Sequence, residues 1–142
     1  MTDGLKVLIV DDETDYLETL VKRMRKRDVD IAAAKSGEEA LEWLACHSAD
    51  VVVLDVKMQG MDGIQALREI KKTHPLLEVI MLTGHANVEV AIEGMELGAF
   101  DYLMKPMDID ELLYKIQDAY KKKIIQEEKI HCIENQGGKN IE

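Results

Sequence analysis

Five short apolar runs, rich in β-branched residues, recur along the chain: Lys6 to Val10, Asp30 to Ala34, Val51 to Leu54, Glu78 to Leu82 and Tyr102 to Met104. Between them the apolar period changes. Leu17, Leu20, Val21 and Met24 form one stripe at helical spacing, and Ala40, Leu41, Leu44 and Ala45 a second. Ile64, Leu67 and Ile70 form a third, and Val88, Ala91, Ile92 and Met95 a fourth. Strands alternating with helices across short loops predict parallel strands, right-handed crossovers and helices on both faces. The expected fold is α/β, a three-layer doubly wound sheet of five strands with five helices.

The helix boundaries carry chemical markers. Ser36 with Glu39, Asp62 with Gln65 and Asp108 with Glu111 each resemble a capping box, in which a side-chain oxygen accepts from the third backbone N–H. Gly98 suits a left-handed helix stop, and Pro75 follows the third helix. The last segment is longer than a compact domain needs. Asp108 to about Glu134 reads as one helix, but past Tyr120 its apolar residues thin to Ile124, Ile125, Ile130 and Ile133. The expected organisation is therefore a domain over 1–121 and a helical extension or linker over 122–142, with Gln136 to Glu142 disordered.

Composition narrows the partners. Of 142 residues, 28 are acidic and 18 basic, a net charge of -10 that disfavours direct binding to nucleic acid. The basic group Lys22, Arg23, Arg25, Lys26 and Arg27 falls at a helix end, where cations suit the dipole. Two distant cysteines, Cys46 and Cys132, suggest neither a disulfide framework nor a zinc site. The N-terminus lacks a signal-peptide pattern, and no apolar stretch approaches the roughly 20 residues of a spanning helix. A cytoplasmic protein without membrane contact is expected.

Chemistry concentrates at the C-terminal ends of the runs. Asp11 and Asp12 follow the first, Asp55 the third and Lys105 the fifth. In an open parallel sheet those ends line one ligand crevice, so three carboxylates and an ammonium should meet there. Two carboxylates about 4 Å apart repel by roughly 4 kcal/mol at an effective dielectric near 20. Protonation is one remedy, and a hard divalent cation such as Mg²⁺ is a better one at an open loop rim. Alone, Asp11-Asp12 would also suit a helix N-terminus. Asp55 ends a rigid apolar strand, as a positioned nucleophile should, and Thr83 offers a hydroxyl for a phosphoryl oxygen.

Val10-Asp11-Asp12, Leu54-Asp55-Val56-Lys57-Met58, Met61-Asp62-Gly63, Leu82-Thr83-Gly84 and Gly98-Ala99-Phe100-Asp101-Tyr102-Leu103-Met104-Lys105-Pro106 resemble, in order and spacing, the receiver domain of bacterial two-component response regulators. The resemblance runs from Leu5 to about Lys121. It implies a flavodoxin-like strand order 2-1-3-4-5, and a phosphorylation-dependent switch rather than a turnover enzyme. Asp55 would accept a phosphoryl group from a sensor histidine kinase or phosphotransfer protein. Asp12, Asp55 and the backbone carbonyl of Lys57 would hold Mg²⁺, with Asp11 supporting it largely through water. Thr83 and Lys105 would bind phosphoryl oxygens, and Thr83 and Tyr102 would act as the switch pair. The Lys105-Pro106 bond is expected to be cis. Lys57 and His85 would tune the lifetime of the phosphorylated state. The output surface would comprise the fourth helix, Ala86 to Leu97, the strand bearing Tyr102, and the fifth helix, reaching a downstream effector protein or domain. A homodimer through that surface or through the C-terminal helix is compatible.

Gln59 stands where the family commonly has proline, which predicts a more mobile loop from Lys57 to Met61. Two other classes compete. An aspartyl-nucleophile phosphatase usually needs a second carboxylate two residues after the nucleophile, and Lys57 occupies that place. A flavin binder on the same topology would need a Ser/Thr/Gly phosphate loop, whereas Asp11-Asp12-Glu13 would repel a phosphate. The stretch from Thr83 to Pro106 resembles receivers of enhancer-binding transcriptional activators. The chain is compatible with a fragment of such a regulator or with a freestanding receiver.

Overall fold

In the computed structural model, which describes residues 4–84 and 88–140, the five runs form one parallel sheet. The strands are β1 (Lys6–Val10), β2 (Asp30–Ala34), β3 (Val51–Asp55), β4 (Glu78–Thr83) and β5 (Asp101–Met104), in the order 2-1-3-4-5. The helices between and after them are α1 (Thr14–Arg25), α2 (Gly37–Cys46), α3 (Gly63–Thr73), α4 (Val88–Glu96) and α5 (Ile109–Asn140). Asp55 and Thr83 are the last residues of their strands rather than the first of the following loops, so the ladder itself holds their backbones.

Strand periodicity divides the core in two. Val7, Ile9, Val53, Ile80 and Leu82 face α1 and α5, meeting Leu17, Met24, Leu112 and Ile116. Leu8, Val10, Val52, Leu54 and Met81 face the other way, against Ala40, Leu44, Leu67 and Ile70 of α2 and α3. Burying one such Leu or Ile contributes about 1.5–3 kcal/mol, so a one-residue slip of a strand is strongly disfavoured. The strand ends are thereby fixed to within one side chain.

Of the three expected capping boxes, one is complete. Asp62 accepts from Gln65 N while Gln65 returns the bond to Asp62 N. Ser36 accepts from Glu39 N, and Asp108 accepts from Asp110 N rather than from Glu111 N. At Gly63 a Cβ would lie 2.5 Å from the Asp55 carbonyl oxygen, so only glycine lets α3 start this close to the end of β3. Gly98, at φ +103, closes α4, as the sequence suggested. The helical backbone of α5 passes through Gly137-Gly138 to Asn140, beyond the expected end near Glu134 and into the stretch expected to be disordered.

Candidate functional site

The register of the sheet assembles the crevice. Val10 pairs with Leu54, which sets Asp11 beside Asp55, and Thr83 pairs with Met104, which sets Lys105 one residue beyond. Lys105 N also donates to Thr83 O at 2.7 Å. The Lys105–Pro106 peptide is cis. Lys105 Nζ lies 2.9 Å from Asp11 Oδ2 and 3.3 Å from Asp55 Oδ1. Asp11, Asp12 and Asp55 each offer a carboxylate oxygen within 4.8 Å of the others. Three negative charges and one positive leave the cluster short of two positive charges.

Burial sharpens this imbalance. The Asp11 side chain is 2% exposed, that of Asp55 9% and that of Lys105 17%. Desolvation, seconded by the Asp11 charge, raises the Asp55 carboxyl above its ordinary range despite the nearby Lys105. Burial alone would lower the Lys105 ammonium, but its bonds to Asp11 and Asp55 outweigh that and raise it. Both Asp11 oxygens are engaged, Oδ1 by Glu13 N at 2.9 Å and Oδ2 by Lys105. Asp12 is exposed at the rim and accepts from Gln59 N at 2.9 Å. Proline at position 59 has no N–H to donate, so Gln59 ties to Asp12 the loop that the sequence suggested would be looser.

Asp12, Asp55 and Lys105 line an open pocket of 590 Å³, together with Thr83, Lys57 and Met58. The carboxylates of Asp11, Asp12 and Asp55, hard oxygen donors beside a charge deficit, fit a small divalent cation that keeps some of its water. The crevice unites Asp11, Asp12, Asp55, Lys57, Thr83 and Lys105. Tyr102 lies elsewhere. The residue is 42% exposed and, with Ala91, Ile92, Met95 and Glu96, borders a separate apolar depression between α4 and β5. His85 and the first residues of the expected fourth helix lie outside the described residues. Sequence reasoning missed Tyr16, whose ring centroid is 4.3 Å from Lys105 Nζ. An aromatic side chain one residue ahead of the Leu17 stripe was its only signal.

The family model of the response regulator receiver domain matches residues 7–117. The chain belongs to that family. Among curated relatives of this receiver, the transcriptional regulatory protein ZraR of Escherichia coli (strain K12) is 38% identical over 117 residues, 82% of this chain and 26% of that protein. The DNA-binding transcriptional regulator NtrC of the same organism is 38% identical over 113 residues, 80% and 24% respectively. The receiver thus spans about a quarter of the length of these curated relatives. Among solved structures, a response regulator receiver domain protein from Clostridium thermocellum superimposes with a TM-score of 0.82 at 37% identity, over 86% of this chain and 98% of its own. NtrX from Brucella abortus matches with a TM-score of 0.82 at 32% identity, over 87% of this chain and 28% of its own. Among the described residues of the receiver, no helix is long and apolar enough to cross a membrane.

Proposed function

We propose that Asp55 is the phosphoacceptor of this receiver. The observation that carries the reading is Lys105 Nζ held between Asp11 and Asp55, with Asp12 completing an oxygen cluster at the strand ends. The donor is a phosphohistidine of a sensor histidine kinase or phosphotransfer protein. An Asp55 oxygen attacks phosphorus, the P–N bond breaks, the electron pair leaves with the imidazole, and an acyl phosphate remains on Asp55. Lys105 and the Thr83 hydroxyl bind phosphoryl oxygens. Asp12, Asp55 and the Lys57 carbonyl hold Mg²⁺, and Asp11, with both oxygens engaged, acts on it through water. When bound, the cation supplies the missing positive charge for the incoming phosphoryl group.

Phosphorylation draws Thr83 toward the phosphoryl group and lets Tyr102 turn from its exposed position, changing the surface of α4, β5 and α5. That surface engages a downstream effector protein or domain, or a second copy of the receiver. Lys57 and His85 set the lifetime by admitting or blocking water, and self-dephosphorylation ends the signal. The receiver itself does not contact nucleic acid, and it works in the cytoplasm. A second reading, that the chain is the receiver of a larger transcriptional activator, is favoured by relatives such as ZraR and NtrC, of which it matches only about a quarter.

Incubation with Mg²⁺ and acetyl phosphate, followed by intact-mass measurement, tests the assignment. One phosphoryl group should be gained by the wild type and none by Asp55→Ala. An undiminished gain in the variant would overturn it.

A further inference from the structure

Lys105 is held on three sides. Two are the carboxylates of Asp11 and Asp55, and the third is the face of Tyr16, with the ammonium 4.3 Å from the ring centroid. Tyr16 sits in the first turn of α1 and packs against the core cluster formed by α1, α5 and the sheet. Its hydroxyl donates to Met107 Sδ at 3.6 Å. The residue therefore grips the β5–α5 segment twice, through the ammonium of Lys105 and through the side chain two positions later. Packing against that core cluster holds the ring in place.

A ring face differs from a carboxylate as a partner for this lysine. The attraction is to the quadrupole, so it claims no individual N–H and leaves the ammonium protons free for oxygens. When Asp55 gains a phosphoryl group it loses its charge, and Lys105 must shift its donors from Asp55 to a phosphoryl oxygen. The ring can hold the ammonium throughout that exchange, and it shields one side from water.

Resting on the assignment of Asp55 as phosphoacceptor, we propose that Tyr16 is a positioning residue for phosphoryl transfer, holding the Lys105 ammonium over the crevice by a cation–π contact. It acts through Lys105, which it meets with its ring face.

Three variants of the full chain test this, read by the rate of phosphoryl gain from acetyl phosphate and by Mg²⁺ affinity. Tyr16→Leu should slow phosphorylation by about 10-fold, the rate equivalent of a cation–π contact between the exposed and the fully desolvated limits, while Mg²⁺ affinity changes little. Tyr16→Phe, which keeps the ring, should restore most of the rate. In a Lys105→Met background, Tyr16→Leu should add no further slowing. The ring current supplies a readout independent of phosphoryl chemistry: the Lys105 ε-methylene protons should resonate upfield in the wild type and Tyr16→Phe, and lose that shift in Tyr16→Leu. Equal rates in wild type and Tyr16→Leu, failure of Tyr16→Phe to rescue, or additive slowing with Lys105→Met would each overturn the proposal. If the wild type itself gains no phosphoryl group on Asp55, the acceptor assignment fails instead, while the ring-current comparison still decides whether Tyr16 holds Lys105.

Discussion

The two edges of the sheet are both charged, and they balance their charge differently. At the C-terminal edge the three carboxylates of Asp11, Asp12 and Asp55 cluster beside the Lys105 ammonium, which contacts Asp11 and Asp55. At the N-terminal edge two carboxylates, Asp50 and Glu78, meet three lysines. Lys71 Nζ is 3.7 Å and Lys122 Nζ 3.2 Å from Glu78, and Lys123 Nζ is 3.0 Å from Asp50. The Lys122 contact is within ion-pair distance of Glu78 Oε2, although that atom has no hydrogen-bond partner, so it is better read as Coulombic than directional. Lys71 also donates to the carbonyls of Pro75 and Leu77, closing the α3–β4 turn. One edge is left short of positive charge. At the other the lysines outnumber these carboxylates, and two of them lie on α5 beyond residue 117, where the family match ends. The lesson is that an acidic group signals ligand chemistry here only where the protein omits its own counter-charge.

The contrast can be broken from either side. The largest effect is expected at the balanced edge, where Glu78→Gln leaves Lys71 without its buried counter-charge. A loss of about 2 kcal/mol in denaturant melts should follow, below the usual range for a broken buried pair because Lys122 is half exposed. Phosphorylation at Asp55 should survive that change. At the open edge the sign reverses: Asp55→Asn removes an excess buried charge and should stabilise the metal-free protein by about 1 kcal/mol. Saturating Mg²⁺ should erase much of that gain, since the cation stabilises only the wild-type carboxylate.

The pH dependence follows from the raised Asp55 carboxyl. Between the ordinary carboxylate value and the raised folded value, the native state keeps a proton that the unfolded chain releases. This contribution to stability is complete below the ordinary value and is lost as pH rises through the folded one. The stability gap between Asp55→Asn and metal-free wild type should therefore open with rising pH across that window and then level off, as followed by urea melts at successive pH values. A gap independent of pH would contradict the burial of an excess charge at Asp55.

The smallest global effect is expected from Lys123→Ala, at about 0.5 kcal/mol, because its partner Asp50 is still held by Lys6 N. Its local effect should be larger. Hydrogen exchange over 124–135 should accelerate, since past Lys123 the helix has few buried positions to hold it.

Legibility differed between these same regions. The strands and the first four stripes were readable because burial on two faces imposes a period that few alternatives satisfy. Asp11, Asp12, Asp55 and Lys105 were readable as a group because each ends a run, and parallel strands bring such ends to one rim. The N-terminal edge was not readable. Asp50 and Glu78 precede or begin strands, their lysines lie 44 to 73 positions away or on α3, and nothing local distinguishes Lys122 or Lys123 from neighbouring surface cations. Gln59 was readable as a departure from proline, but the bond from its backbone N–H to Asp12 was not.

By itself, then, the sequence determined the order of strands and helices along the chain and the carboxylates that share a crevice, because periodicity and chain direction are properties of short segments. The tertiary structure alone decided which carboxylates are paired with lysines and which are left short of counter-charge. It also decided that Tyr16 flanks Lys105 and that Tyr102 stands apart from the crevice. Those outcomes depend on distances of a few ångströms between segments far apart in the chain, and electrostatic energies at such distances turn on burial and geometry that no local pattern encodes.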